Sequence, residues 1–134
     1  MKTNRWLGAL LVPVFLVQTA LAGSGYAVKC KDEKCGFKTH ARIGGGFDFE
    51  KISGFCTKCD TWVWVNWSRD AKDKAPVPVL ECWDPATGKM RKFYKCPMNK
   101  CTGSFVAIET IDEMKYCPKC KKPNLESKHD LFYD

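Results

Sequence analysis

The chain has 134 residues, 45% of them apolar and 28% charged, with nine cysteines and a formal charge of +7. That length holds one ordinary domain or two very small ones. An excess of 22 lysines and arginines over 15 acidic residues points, taken alone, to an anionic partner such as nucleic acid.

The first stretch predicts a targeting segment. Lys2 and Arg5 precede an almost wholly apolar run over residues 6–21, and Ala20-Leu21-Ala22 is a small-x-small cleavage site. This is the layout of a signal peptide spanning 1–22, cut after Ala22. The run is short for a membrane span, and no second long apolar run follows. The expected product is a periplasmic or secreted protein with no transmembrane segment after cleavage.

Residues 23–67 read as a first unit. Gly23-Ser24-Gly25 suggests a flexible lead-in, after which Tyr26-Ala27-Val28 enter the first cysteine loop. Phe37 to Ile43 reads as a strand, and Gly44-Gly45-Gly46 is a strong turn signal. Phe47, Phe49, Ile52 and Phe55 lead back toward Cys56, which predicts a β-hairpin with a cysteine pair at each end. Thr61 to Trp67 has very high strand propensity and is expected to close a three-stranded ribbon. Residues 68–78 are charged and proline-bearing and read as a linker. The second unit, 79–123, has predicted strands at Val79–Trp83 and Lys89–Lys95, separated by a turn over Asp84–Gly88. A second hairpin is expected from Ser104–Glu109 and Met114–Cys117, turning at Asp112-Glu113. The tail, 124–134, is polar until Leu131-Phe132-Tyr133, which would dock or fray. Without helical periodicity after residue 22, the fold class is all-β.

One cysteine pattern occurs twice: Cys30-x4-Cys35 followed by Cys56-x2-Cys59, and Cys96-x4-Cys101 followed by Cys117-x2-Cys120. Four sulfurs on two tight turns are what a tetrahedral thiophilic ion requires. The expected grouping is Cys30, Cys35, Cys56 and Cys59 in the first unit, and Cys96, Cys101, Cys117 and Cys120 in the second. Units of roughly 35 residues are too small to stand on an apolar core alone, whereas structural zinc binding contributes on the order of 10–16 kcal/mol. In these residues the chain resembles the zinc-ribbon (rubredoxin-like) group, with Cys117-Pro118-Lys119-Cys120 the nearest match. The resemblance implies two tandem ribbons and two structural Zn2+ ions per chain. Three readings compete: disulfides, favoured by export; tetrathiolate iron; and redox dithiols in the Cys-x-x-Cys pairs.

The charge then shrinks. Removing Lys2 and Arg5 leaves 20 basic against 15 acidic residues, or +5. Two divalent ions, each held by four thiolates, carry −2 apiece and bring the mature protein near +1. The lysines flanking the cysteines read as local counter-charges, which with export counts against nucleic-acid binding.

Cys82 belongs to neither set. It reads as a small buried strand residue or as a free thiol for an intermolecular bond. Full cysteine quartets leave no vacancy for His40 or His129. No catalytic motif or paired carboxylate is present, so no enzyme is expected. In a strand, Trp62 and Trp64 share one side and Trp67 the other, leaving aromatic area either covered or available to a protein or a glycan. The sequence therefore predicts an exported, non-catalytic zinc-binding protein, a structural or protein-binding module such as an accessory subunit of an envelope or extracellular assembly. The rivals are an exported tetrathiolate-iron electron carrier or thiol-redox protein, and a disulfide-stapled secreted binding domain.

Overall fold

Apolar and polar residues alternate along 38–43, where Ala41 and Ile43 are buried while Lys38, His40 and Arg42 are exposed. That period of two is the signature of a strand with one face on a core. In the computed structural model, which describes residues 23–85 and 87–133, this segment is β2 (Lys38–Ile43) of an all-β protein. The other strands are β1 (Gly23–Cys30), β3 (Phe49–Cys56), β4 (Thr61–Ser68), β5 (Leu80–Asp84), β6 (Lys89–Lys95), β7 (Ser104–Val106) and β8 (Leu125–Tyr133). Two short 3-10 turns lie at Lys72–Lys74 and Ile111–Glu113. Among the described residues no helix is long and apolar enough to cross a membrane. The expected signal peptide, 1–22, lies outside the described residues.

The strands form two sheets, a three-stranded one ordered β2-β1-β8 and a five-stranded one ordered β4-β3-β7-β6-β5. The first is made from the two ends of the described chain. Antiparallel β1 pairs with β2 on one side, Tyr26 opposite Ala41, and with β8 on the other, Val28 opposite Ser127. The second is made from the middle. β3 and β4 form a hairpin with Phe55 opposite Trp62, and β5, β6 and β7 form a meander. One bridge, Cys56 opposite Phe105, joins hairpin and meander. We refer to the two parts as the outer and inner ribbons.

This arrangement corrects the expected organisation into tandem units at 23–67 and 79–123, because the five-stranded sheet draws strands from both and the three-stranded sheet joins strands of the first to the tail. The glycine turn is real, but it joins β2 of the outer sheet to β3 of the inner sheet; those two strands do not form a hairpin. Arg69 ties the crossover down, its Nη2 donating to the Gly46 carbonyl (3.0 Å) and its Nη1 pairing with Glu50 (3.0 Å). The glycine-rich lead-in is strand β1 itself, and the tail is β8. In the expected second hairpin only Ser104–Val106 is a strand, and residues 111–113 form a 3-10 turn with a capping box between Thr110 and Glu113.

Two apolar clusters follow the two sheets. The outer one gathers Val28, Phe37, Ala41, Ile43, Phe55 and Trp62 around cysteines of both chain ends. The inner one gathers Val63, Tyr94 and Phe105, with Ile52 and Val65 beside them. The β3–β4 hairpin lies between them. Phe55 and Trp62 point to the outer cluster, while Cys56 and Val63 point to the inner one. At Gly54 β7 lies close against this hairpin: a Cβ there would stand 2.0 Å from the Val106 carbonyl oxygen and 2.9 Å from the Phe105 ring. Gly54→Ala must therefore push β3 and β7 apart. It is expected to cost about 1–3 kcal/mol, as overpacking does, read as a lower denaturation midpoint at unchanged m-value.

Candidate metal centres

The first three cysteine turns connect β1 to β2, β3 to β4 and β6 to β7, and the fourth lies between β7 and β8; backbone hydrogen bonds shape the first, third and fourth. In the first, between β1 and β2, the Cys30 N–H donates to the Phe37 carbonyl (3.0 Å) and the Cys35 N–H to the Asp32 carbonyl (3.0 Å). The third, between β6 and β7, repeats this: Cys96 N–H to the Gly103 carbonyl (2.9 Å) and Cys101 N–H to the Met98 carbonyl (3.1 Å). In the fourth, the Cys117 N–H donates to the Lys122 carbonyl (2.9 Å), while the Lys121 N–H donates to the Cys117 carbonyl (2.8 Å). In three of the turns the residue after the second cysteine is left-handed: Gly36 (φ 64°), Asp60 (φ 55°) and Lys121 (φ 62°). Such a residue reverses the chain at once and aims the preceding sulfur inward.

The turns meet in an unexpected combination. Cys30 and Cys35 face Cys117 and Cys120; Cys56 and Cys59 face Cys96 and Cys101. Each group thus takes the first pair of one sequence copy and the second pair of the other. The expected grouping within each copy is corrected, and the reason is the sheet topology. β8, which follows the fourth turn, pairs with β1, which precedes the first, and β7 beside the third turn pairs with β3 beside the second. Further contacts clamp the turns together. In the outer group, the Lys31 N–H donates to the Asn124 carbonyl (2.7 Å) and Lys122 Nζ to Asp32 Oδ2 (3.1 Å), which holds the Asp32 carboxyl below its ordinary range. In the inner group, Lys58 Nζ donates to Thr102 Oγ1. Gly103 permits the inner approach, since a Cβ there would lie 2.7 Å from Lys58 Cβ and 3.1 Å from Cys56 Sγ.

Within each group the four sulfurs lie within 4.8 Å of one another. Sγ–Sγ separations are 3.7 Å for Cys30–Cys120, Cys35–Cys117 and Cys59–Cys96, and 3.8 Å for Cys56–Cys101. A tetrahedron with metal–sulfur bonds of about 2.3 Å has edges of about 3.8 Å, whereas bonded sulfurs stand about 2.05 Å apart. All nine cysteines are unbonded. The donor set is all thiolate, so each group could hold one thiophilic ion with four protein ligands and no position left for substrate.

Burial and backbone donors divide the thiols. Without an ion, burial pushes the Cys30 and Cys96 thiols up to about 12, against backbone N–H groups of Asp32 and Met98 that pull the other way. Burial also raises Cys35 and Cys59. At Cys56 burial again raises the pKa, but the N–H groups of Cys59 and Lys58 aimed at the sulfur outweigh it, together with the neighbouring sulfurs, and bring it down to about 7. Cys120 is lowered, chiefly by the Lys122 N–H. In both groups the sulfur that ionises most readily therefore belongs to a two-residue turn.

The remaining candidates separate. Cys82 is exposed on the edge strand β5, outside both groups and away from any core, which corrects the reading of it as buried. His40 pairs with Asp130 (2.5 Å) and His129 stacks edge-on against Tyr26, neither near a sulfur group. Trp62 is 4% exposed and donates its indole N–H to the Arg42 carbonyl (3.3 Å), so it is core and unavailable to a partner. Trp64 is 43% exposed beneath the Arg42 guanidinium, and Trp67 is half-buried. Sequence reasoning did not single out Trp83, which is 60% exposed on β5 opposite Met90, with Val79 and Leu80 also exposed on the same edge. Its signal was present in the short apolar run following Pro78. Comparisons with family models, curated proteins and solved structures return no match for this chain.

The ion-bound state of either group holds fewer protons than the ion-free state, because raised thiols such as Cys30 and Cys96 must lose theirs. Raising pH therefore favours the bound form and lowering it releases the ion. Adding Zn2+ to metal-free protein in weak buffer at pH 7 is expected to acidify the solution, and stepwise acidification of the loaded protein to free metal detectable with a chromogenic chelator.

Proposed function

We propose that this chain is an exported, non-catalytic protein in which two structural zinc ions hold a β scaffold together for binding another protein. The observation that carries the reading is the pair of four-sulfur groups, each with the edge lengths of a tetrahedral thiolate site. Zinc is favoured over more demanding ions because it accepts four thiolates in a closed tetrahedron without redox chemistry. The turn-and-hairpin setting resembles that of zinc ribbons. Export rests on the basic, apolar and small-residue layout of residues 1–22. A protein partner is supported by the solvent-facing strip of β5 and its approach, where Val77, Val79, Leu80 and Trp83 are all exposed at a sheet edge. Exposed apolar area at an unpaired edge is a feature that soluble proteins otherwise suppress.

Protein isolated from its own compartment is expected to carry two zinc per chain by elemental analysis. It should show one readily titrated thiol, Cys82, with the other eight becoming reactive only after chelation. A red, iron-containing product would replace zinc by the electron-carrier reading. Protein with no metal and eight oxidised cysteines would overturn the proposal in favour of disulfides.

A further inference from the structure

The two centres are not equivalent in what they need from each other. All residues of the inner cluster, ligands included, fall between Ile52 and Ala107. The inner centre's ligands come from one continuous stretch, 56–101, with 36 residues between Cys59 and Cys96. The outer cluster is not self-sufficient. It borrows Phe55 and Trp62 from the β3–β4 hairpin, and Ile108 packs against it from just beyond β7. Phe55 stacks edge-on against Phe37 at 5.3 Å, and the Trp62 indole N–H bonds to the β2 backbone at Arg42. The outer ligands lie at the two ends of the described chain, with 81 residues between Cys35 and Cys117.

We infer that the two centres are hierarchical. The inner ribbon assembles and loads from its own residues, and the outer centre is a clasp that closes over it and can open without undoing it. This rests on the proposal that both groups bind metal. The physical basis is one-way dependence of the cores. Loss of the outer ion frees β1, β2 and β8 but removes no side chain from the inner cluster. Loss of the inner ion frees the β3–β4 hairpin, and with it the two aromatic rings on which the outer cluster packs. Before the inner ribbon folds, the outer centre must also close the longer loop; afterwards that loop is already shortened by the inner ribbon's own packing. Opening the clasp uncovers Phe55 and Trp62 as an apolar surface on a still-folded inner ribbon, so occupancy of the outer centre would decide whether that surface is presented.

The test uses the full mature chain with Zn2+ as the probe. Wild-type protein is first shown to bind two ions by native mass spectrometry; failure there overturns the metal reading itself. With limiting chelator, the first ion is expected to leave while amide protection is lost at residues 26–29 and kept at Val63 and Phe105. Cys117→Ser should retain one ion with Val63 and Phe105 still protected. Cys96→Ser should lose the inner ion and bind the outer one at least tenfold more weakly than wild type, measured by chelator competition. Simultaneous loss of both ions from wild type, loss of both from C117S, or wild-type outer affinity in C96S would each overturn the hierarchy. The chelator arm needs no variant to fold.

Discussion

The convergence of four sulfurs from two distant turns is the constraint on which the rest of the structure depends. Each group requires chain segments dozens of residues apart to meet with tolerances of a few tenths of an ångström, since sulfurs at 3.7–3.8 Å suit one ion and sulfurs much farther apart suit none. The strands do this positioning. β1, β2 and β8 deliver two turns to one point, and the β3–β4 hairpin meets the β6–β7 turn at the other. The buried side chains are few and several are the cysteines themselves, so the apolar clusters cannot be described without the sulfur groups they contain. Small domains with so little apolar interior depend on such staples.

Electrostatics follows from the same constraint. Burial raises Cys30, Cys35, Cys59 and Cys96 and there resists the charged form that a cation needs, while backbone N–H groups in or just after the two-residue turns lower Cys56 and Cys120. Each centre thus sets one sulfur disposed to ionise, Cys120 or Cys56, beside thiols such as Cys30 and Cys96 that burial holds protonated. The lysines fit this picture as structural partners. Lys122 and Lys58 each reach from one turn to an oxygen on the facing turn, so two of the positive charges in the sequence join the halves of a centre.

How much of this was legible in the sequence can be judged residue by residue. The eight grouped cysteines stood out because their spacing is repeated, and most strands were marked by alternation or β-rich composition. What the spacing could not reveal was which pairs meet. Grouped within copies or exchanged between them, each set contains one four-residue and one two-residue turn, so local pattern is degenerate and only the non-local pairing of β1 with β8 and β3 with β7 decides. The triple glycine was misread for a related reason. It reliably signals a reversal, but nothing local says whether the next strand rejoins the same sheet. Trp62 and Trp64 share a face and differ in fate because β2 covers the Cys56 end of the hairpin while Trp64 lies farther along, an outcome of sheet packing that alternation alone does not contain.

The exchange of cysteine pairs also changes what the duplication means physically. Two tandem ribbons would be joined by a linker and could separate. Here one ribbon is inserted into the other, so the outer centre holds the chain ends together across the inner one, and no cut between residues 35 and 117 leaves both ligand pairs of that centre on one piece. The β3–β4 hairpin bears the mechanical consequence. Its two faces serve two cores, with Phe55 and Trp62 on one and Cys56 and Val63 on the other. A buried side chain in this hairpin cannot change size without a cost on one side, and Gly54, pressed against the Val106 carbonyl, leaves little room for the hairpin to shift toward β7. Variation is better tolerated at β5, whose exposed edge contributes to neither cluster. The hairpin is thus shared between the two sulfur groups, and the exposed β5 edge is the strand farthest from it in the sheet order.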